Sequence, residues 1–160
     1  MKVTRAGTGA RIRLNLPESH VLQQLLEQLQ DVIDPGSLEA TDPVRERLYP
    51  AAYADADAAA EFREITEAGL QEERSARLDQ CLGELLAGRS LMRAELTLDA
   101  DATERWLRVL NDLRLAFGTR LGITEEDDNS LDESDPQVGL RARYLWLTAL
   151  QDQLVTAVMG

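Results

Sequence analysis

Trp106-Leu107-Arg108-Val109-Leu110-Asn111-Asp112-Leu113-Arg114-Leu115-Ala116-Phe117-Gly118-Thr119-Arg120-Leu121-Gly122 is the stretch from which the fold class is read. At about 100° per residue, Trp106, Leu110, Leu113, Phe117 and Leu121 fall on one arc, the apolar stripe of an amphipathic helix. Gly122 suits the left-handed residue that ends such a helix. Arg114 and Arg120 lie within or beside the same arc. A guanidinium is not buried unpaired, so each predicts a carboxylate or a row of carbonyls opposite it. Asn111, Arg114 and Gly118 stack along the arc's edge, where Gly118 lets another backbone approach.

Working outward, the same periodicity recurs. Asp99 or Asp101 caps this helix, and the alternating Arg93–Leu98 segment before it reads as a strand. Further upstream, Leu78, Leu82, Leu85 and Leu86 form the firm part of a helical stripe that begins after Asp55 or Asp57 and ends at Gly88. The stripe weakens over Glu72–Arg77, which predicts a kink or an exposed stretch. Residues 37–55 read as a connector. Pro17 opens an earlier helix carrying Leu22, Leu25, Leu26, Leu29, Val32 and Ile33, stopped by Asp34-Pro35-Gly36. Residues 11–16 alternate and can form a short strand. Leu14 and Leu16 answer to Leu96 and Leu98, which is either a weak internal repeat or the chance outcome of a Leu-rich chain. A last helix runs from about Pro136, with Leu140, Tyr144, Leu147, Leu150, Leu154 and Val158 on its stripe and Gln151 among them.

The expected fold is therefore all-α: a small bundle of about four to five helices, with room for a short two-stranded β ribbon. One domain spans residues 1–160, with residues 1–10 a flexible N-terminal tail and residues 124–136 an acidic loop. Leu at 27 and Ala at 20, against 12 for Ile and Val together, favour helix over sheet.

Composition narrows function more than it assigns it. Lys and Arg number 17 against 29 for Asp and Glu, a net charge of −12, which disfavours duplex and anionic-membrane binding. The start of the sequence has no apolar leader and no run reaches membrane length, so a cytoplasmic protein is expected. Cys81 is the single cysteine and His20 the single histidine, which leaves no disulfide and no Cys/His metal cage. Residues 124–136 hold seven acids but lack calcium-loop order. Gly7-Thr8-Gly9 is no phosphate loop, since no Gly-Lys-Ser/Thr follows. No cofactor, metal or catalytic residue is expected.

Two readings of the Asn111, Asp112, Arg114 and Arg120 seam stay open. It is an internal ion-pair network joining helices, or a recessed polar site for an anion or a carboxylate-bearing peptide end. Leu115, Leu145 and Trp146 sit outside their helices' main stripes. If clustered and uncovered, they mark a surface for a protein partner or for self-association into a homo-oligomer.

Several phrases resemble an uncharacterised actinobacterial family, domain-of-unknown-function family twenty-seventeen. They are Asp42-Pro43 with Arg47–Tyr53, then Ala60–Arg63 with Thr66, then Trp106-Leu107 with Asn111–Leu115 and Gly118–Gly122, and finally Trp146–Thr148 with Leu150-Gln151. The resemblance implies a helical or nearly helical cytoplasmic protein with no established activity. It also implies genes lying near the Clp protease adaptor, an isopeptidase-like protein and a sulfur-carrier cysteine pathway. Some relatives bear the label of transcriptional regulator.

The leading expectation is a non-catalytic interaction or regulatory protein acting through protein partners, in proteolysis or in cysteine and sulfur metabolism. One alternative is a transcriptional regulator using the basic Lys2, Arg5, Arg11 and Arg13. The other is a small-ligand sensor or enzyme using Asn111, Arg114 and Arg120.

Overall fold

The two alternating segments pair with each other. In the computed structural model, which describes residues 1–39, 41–50 and 60–160, strand β2 (Gly9–Asn15) runs antiparallel to β3 (Arg93–Leu98). Ala10 faces Leu98, Ile12 faces Leu96 and Leu14 faces Ala94. These six side chains are buried on one face of the sheet, as period-two alternation requires.

A third strand, β1 (Lys2–Ala6), pairs antiparallel with β2 through the two-residue Gly7–Thr8 loop, so the order is β1-β2-β3. This overturns the all-α expectation, and residues Lys2–Ala6, inside the expected tail, lie in a strand. The described residues form a mixed α/β protein with five α-helices and a three-stranded antiparallel sheet. The expectation failed because Lys2–Ala6 contains only Val3 as a large apolar residue. Its pairing is dictated by the hairpin turn and not by hydrophobic pattern. Gly9 is obligatory: a Cβ there would overlap the Leu98 carbonyl oxygen and lie 2.6 Å from the Asp99 carbonyl carbon.

The helices are α1 (Leu16–Ile33), α2 (Pro43–Leu48), α3 (Ala60–Ala87), α4 (Ala100–Leu121) and α5 (Val138–Met159). Asn15 caps α1 in a reciprocal box with Glu18, both bonds at 2.8 Å. The Asp99 carboxylate caps α4 by accepting from the Ala102 amide at 2.8 Å. The Asp55 or Asp57 cap expected for α3 lies outside the described residues.

Helices α1 and α4 lie on the inner face of the sheet, and α5 packs against α4 and β1. The core joins Leu22, Leu25, Leu26 and Leu29 of α1 to Leu78 and Leu85 of α3, Trp106, Leu110 and Leu113 of α4, and Leu147, Leu150 and Leu154 of α5. Trp106 is fully buried and its Nε1 donates to Glu84 Oε2 at 2.6 Å, while Arg105 pairs with the other oxygen of that carboxylate. No described helix is long and apolar enough to cross a membrane.

Candidate functional site

Helix α4 sends its polar residues to three different places. Asp112 points toward α3 and is buried. Its Oδ2 lies 3.3 Å from Arg74 Nε. Arg74 also sits over the Tyr49 ring, 5.2 Å from its centroid, and the Tyr49 hydroxyl donates to the Ile33 carbonyl. Burial raises the Asp112 carboxyl above its ordinary value, more than Arg74 and Arg77 lower it. The Glu67–Arg45 pair, at 2.8 Å, continues this polar layer between α2 and α3.

Arg120 points the other way and clamps α2. Its two Nη atoms donate to the Asp42 carboxylate at 3.2 and 3.0 Å. Asp42 also caps α2 by accepting from the Val44 amide at 2.9 Å. Asn111 is exposed. Asp112 and Arg120 thus serve helix packing, and the seam is not one continuous network.

Arg114 takes the third direction. It opens into a cleft of about 510 Å³ between α2, α4 and α5, together with Arg47, Leu115, Gly118, Ile123 and Tyr144. Its Nη1 donates to the neutral Gln151 amide oxygen at 2.8 Å, and its guanidinium lies 5.9 Å from the Tyr144 ring centroid. Gln151, a polar residue within the apolar stripe of its helix, finds its hydrogen-bond partner here. Gly118 makes room for the Tyr144 ring and not for a backbone: a Cβ there would stand 3.1 Å from Tyr144 Cε2.

The off-stripe apolar residues do not form one patch. Leu115 lines the cleft. Trp146 lines a groove of about 260 Å³ on the other side of α5, between α1 and α5, with Pro17, Val21 and Ala142. Leu145 is half-buried and lines neither.

The basic N-terminal residues also divide. By register, Lys2, Arg11 and Arg13 share the outer sheet face with Arg93, whereas Arg5 lies opposite Ala10 on the inner side. Glu95 stands among the outer cations, 2.9 Å from Arg13 and 3.6 Å from both Arg11 and Arg93.

Sequence reasoning missed Arg74, Tyr49, Glu67 and Glu84. The weak stripe over Glu72–Arg77 was the available signal: charge replaces leucine there because α3 meets Asp112. Cys81 is buried beside Arg105, and burial pushes its thiol up to about 12. Among the described residues, no three His, Cys, Asp or Glu side chains converge as a metal site.

These features define a two-layer α/β protein with a cationic cleft on one side of α5 and an apolar groove on the other. The chain belongs to the family described as Domain of unknown function (DUF2017), whose model matches residues 1–158. The oxidative stress regulator AosR of Mycobacterium tuberculosis is 41% identical over 68 residues, covering 42% of this chain and 30% of that protein. The AosR protein of Mycobacterium leprae, provisionally given the same role, is 30% identical over 149 residues, covering 90% of this chain and 60% of that protein. The chain therefore spans less than two thirds of the length of these relatives. No solved structure matches it.

Proposed function

We propose that this chain is a non-catalytic, cytoplasmic regulatory protein of the response to oxidants and that it acts by docking a protein partner. The observation that carries the reading is the Mycobacterium leprae relative, which bears a regulator's name and aligns with 90% of this chain. The Trp146 groove supports it physically. Trp146 and Val21 pack only partly against the core, and aromatic residues in apolar recesses are frequent anchors of interfaces.

The test is recovery of partners by a tagged chain from an actinobacterial extract, with Ala142→Glu as the comparison. That variant places a charge in the groove without cutting into the core. A partner held by the wild type and lost in the variant supports the reading. Identical recovery with both, or recovery with neither, refutes it.

A second reading, direct action on nucleic acid, draws on Lys2, Arg11, Arg13 and Arg93 sharing the outer sheet face. Glu95 occupies three of those four cations, and the net charge of −12 opposes approach to phosphate. A gel shift that tightens steeply as salt is lowered, and that is lost in Arg11→Ala/Arg13→Ala, would favour this reading over the first.

A further inference from the structure

Arg45, Arg74 and Arg105 each meet a carboxylate. Arg114 does not. In a chain with 29 acidic residues, its protein partners among the described residues are the Gln151 amide oxygen and the Tyr144 ring. A guanidinium carries five N–H donors, and among the described residues only one of them has an acceptor.

Arg47 enters the same cleft from α2 and has no ion-pair partner among the described residues. The Tyr144 hydroxyl, 3.5 Å from where a Gly118 Cβ would stand, makes no hydrogen bond among them either. Glu46 is the one carboxylate in the lining among the described residues; it is exposed and pairs with neither arginine among them. Leu115 and Ile123 supply apolar wall beside these donors. A cleft of about 510 Å³ is the size of common small-ligand sites.

We propose that this cleft is a binding site for an organic carboxylate. Arg114 offers its fork to the two oxygens, Tyr144 donates its hydroxyl, Arg47 closes the far side, and the carbon skeleton lies on Leu115 and Ile123. Planar, bidentate recognition of this kind is what a guanidinium does better than an ammonium. Gly118 is the positioning residue, because a Cβ there would stand 3.1 Å from Tyr144 Cε2 and press the ring away from its place beside Arg114. The carboxylate has two possible sources, a free small molecule or the C-terminus of another chain, and the same donors recognise both. The proposal does not rest on the Trp146 groove, so its failure leaves the partner reading standing, and the reverse.

The experiment is calorimetric titration of the full chain, with nitrogen–proton correlation spectra recorded in parallel. The small-molecule probe is N-acetyl-leucine against its amide. The chain-end probe is a short peptide ending in leucine with a free C-terminus, against the same peptide amidated. Inorganic phosphate is titrated as the competing anion.

The expected result is saturable binding of at least one acid, with shifts at the amides of Gly118, Gly122 and Ile123 and at least tenfold weaker binding of its amide. The acid that binds more tightly names the source. Arg114→Gln lowers affinity at least tenfold and Arg114→Lys lowers it less, with the thermal midpoint showing both variants folded. If Arg114→Gln does not fold, the acid-against-amide comparison in the wild type decides. Equal binding of acids and amides, shifts elsewhere on the surface, no binding of either acid, or phosphate binding as tightly as the acids would each overturn the proposal.

Discussion

Replacing Asp112 with alanine tests the buried layer between α3 and α4. The Asp112 side chain is 7% exposed and that of Arg74 is 14% exposed, with 3.3 Å between Oδ2 and Nε. Asp112→Ala strands the Arg74 guanidinium in that layer, and breaking a buried pair from one side costs about 3–5 kcal/mol. Arg74 keeps the Tyr49 ring at 5.2 Å, which holds the cost near the lower bound, about 3 kcal/mol. For a chain of this size that lowers Tm by about 6–12 °C.

Removing both partners has a different outcome. The Asp112 carboxyl is raised by burial more than its arginines lower it, so the folded state holds its proton more tightly than the unfolded chain does. Any stability this group contributes is present at low pH and is lost as pH rises through its folded pKa. The ionised pair at neutral pH therefore recovers less than its burial removes. Arg74→Met/Asp112→Leu should accordingly lie within about 1 kcal/mol of the wild type, far from the sum of the two single variants. Urea denaturation followed by circular dichroism at pH 7 measures the wild type, Asp112→Ala, the single variants Arg74→Met and Asp112→Leu, and the double variant. An Asp112→Ala cost below about 1 kcal/mol, or a double variant as unstable as the sum, would refute the reasoning.

Asp42→Asn keeps the α2 cap and removes the charge facing Arg120. Because Arg120 is 43% exposed, solvent screening limits the loss to about 1 kcal/mol or less. Burial raises the Asp42 carboxyl, but its hydrogen bonds to Arg120 and the Val44 amide lower it further, to a net value below the usual range. The difference between wild type and variant is thus present at neutral pH and should close as pH falls below 3.8, as urea curves at several pH values will show. Gly9→Ala forces a methyl onto the Leu98 carbonyl and should cost about 3 kcal/mol or more, with loss of β2–β3 amide protection in hydrogen exchange. Native Cys81 should resist thiol reagents at pH 8, since its thiol sits at about 12, and should label only as urea unfolds the chain; prompt stoichiometric labelling without urea would contradict its burial.

Much of the helical framework was legible because period is a local property. Leu22 to Ile33, Trp106 to Leu121 and Leu147 to Leu154 repeat at three and four, and each set is buried where the stripe places it, with Val32 and Phe117 half-buried against the core. The Ile12/Leu14 and Leu96/Leu98 alternation likewise marked strands β2 and β3. Three things were not legible. Strand β1 has no apolar face of its own to announce it and forms because a two-residue loop returns the chain alongside β2. The partner of each α4 side chain was hidden because a helical arc gives an angle but not a neighbour. Asp112, Arg114 and Arg120 are close in sequence, yet they face Arg74 of α3, Gln151 of α5 and Asp42 before α2. The cleft itself exists only after α2 and α5 close around α4, which is why Arg114 and Arg120 read alike in the sequence and differ in the folded chain. Charge opposite a side chain is set by what packs against it, and for these three α4 residues that packing reaches up to 78 positions along the chain.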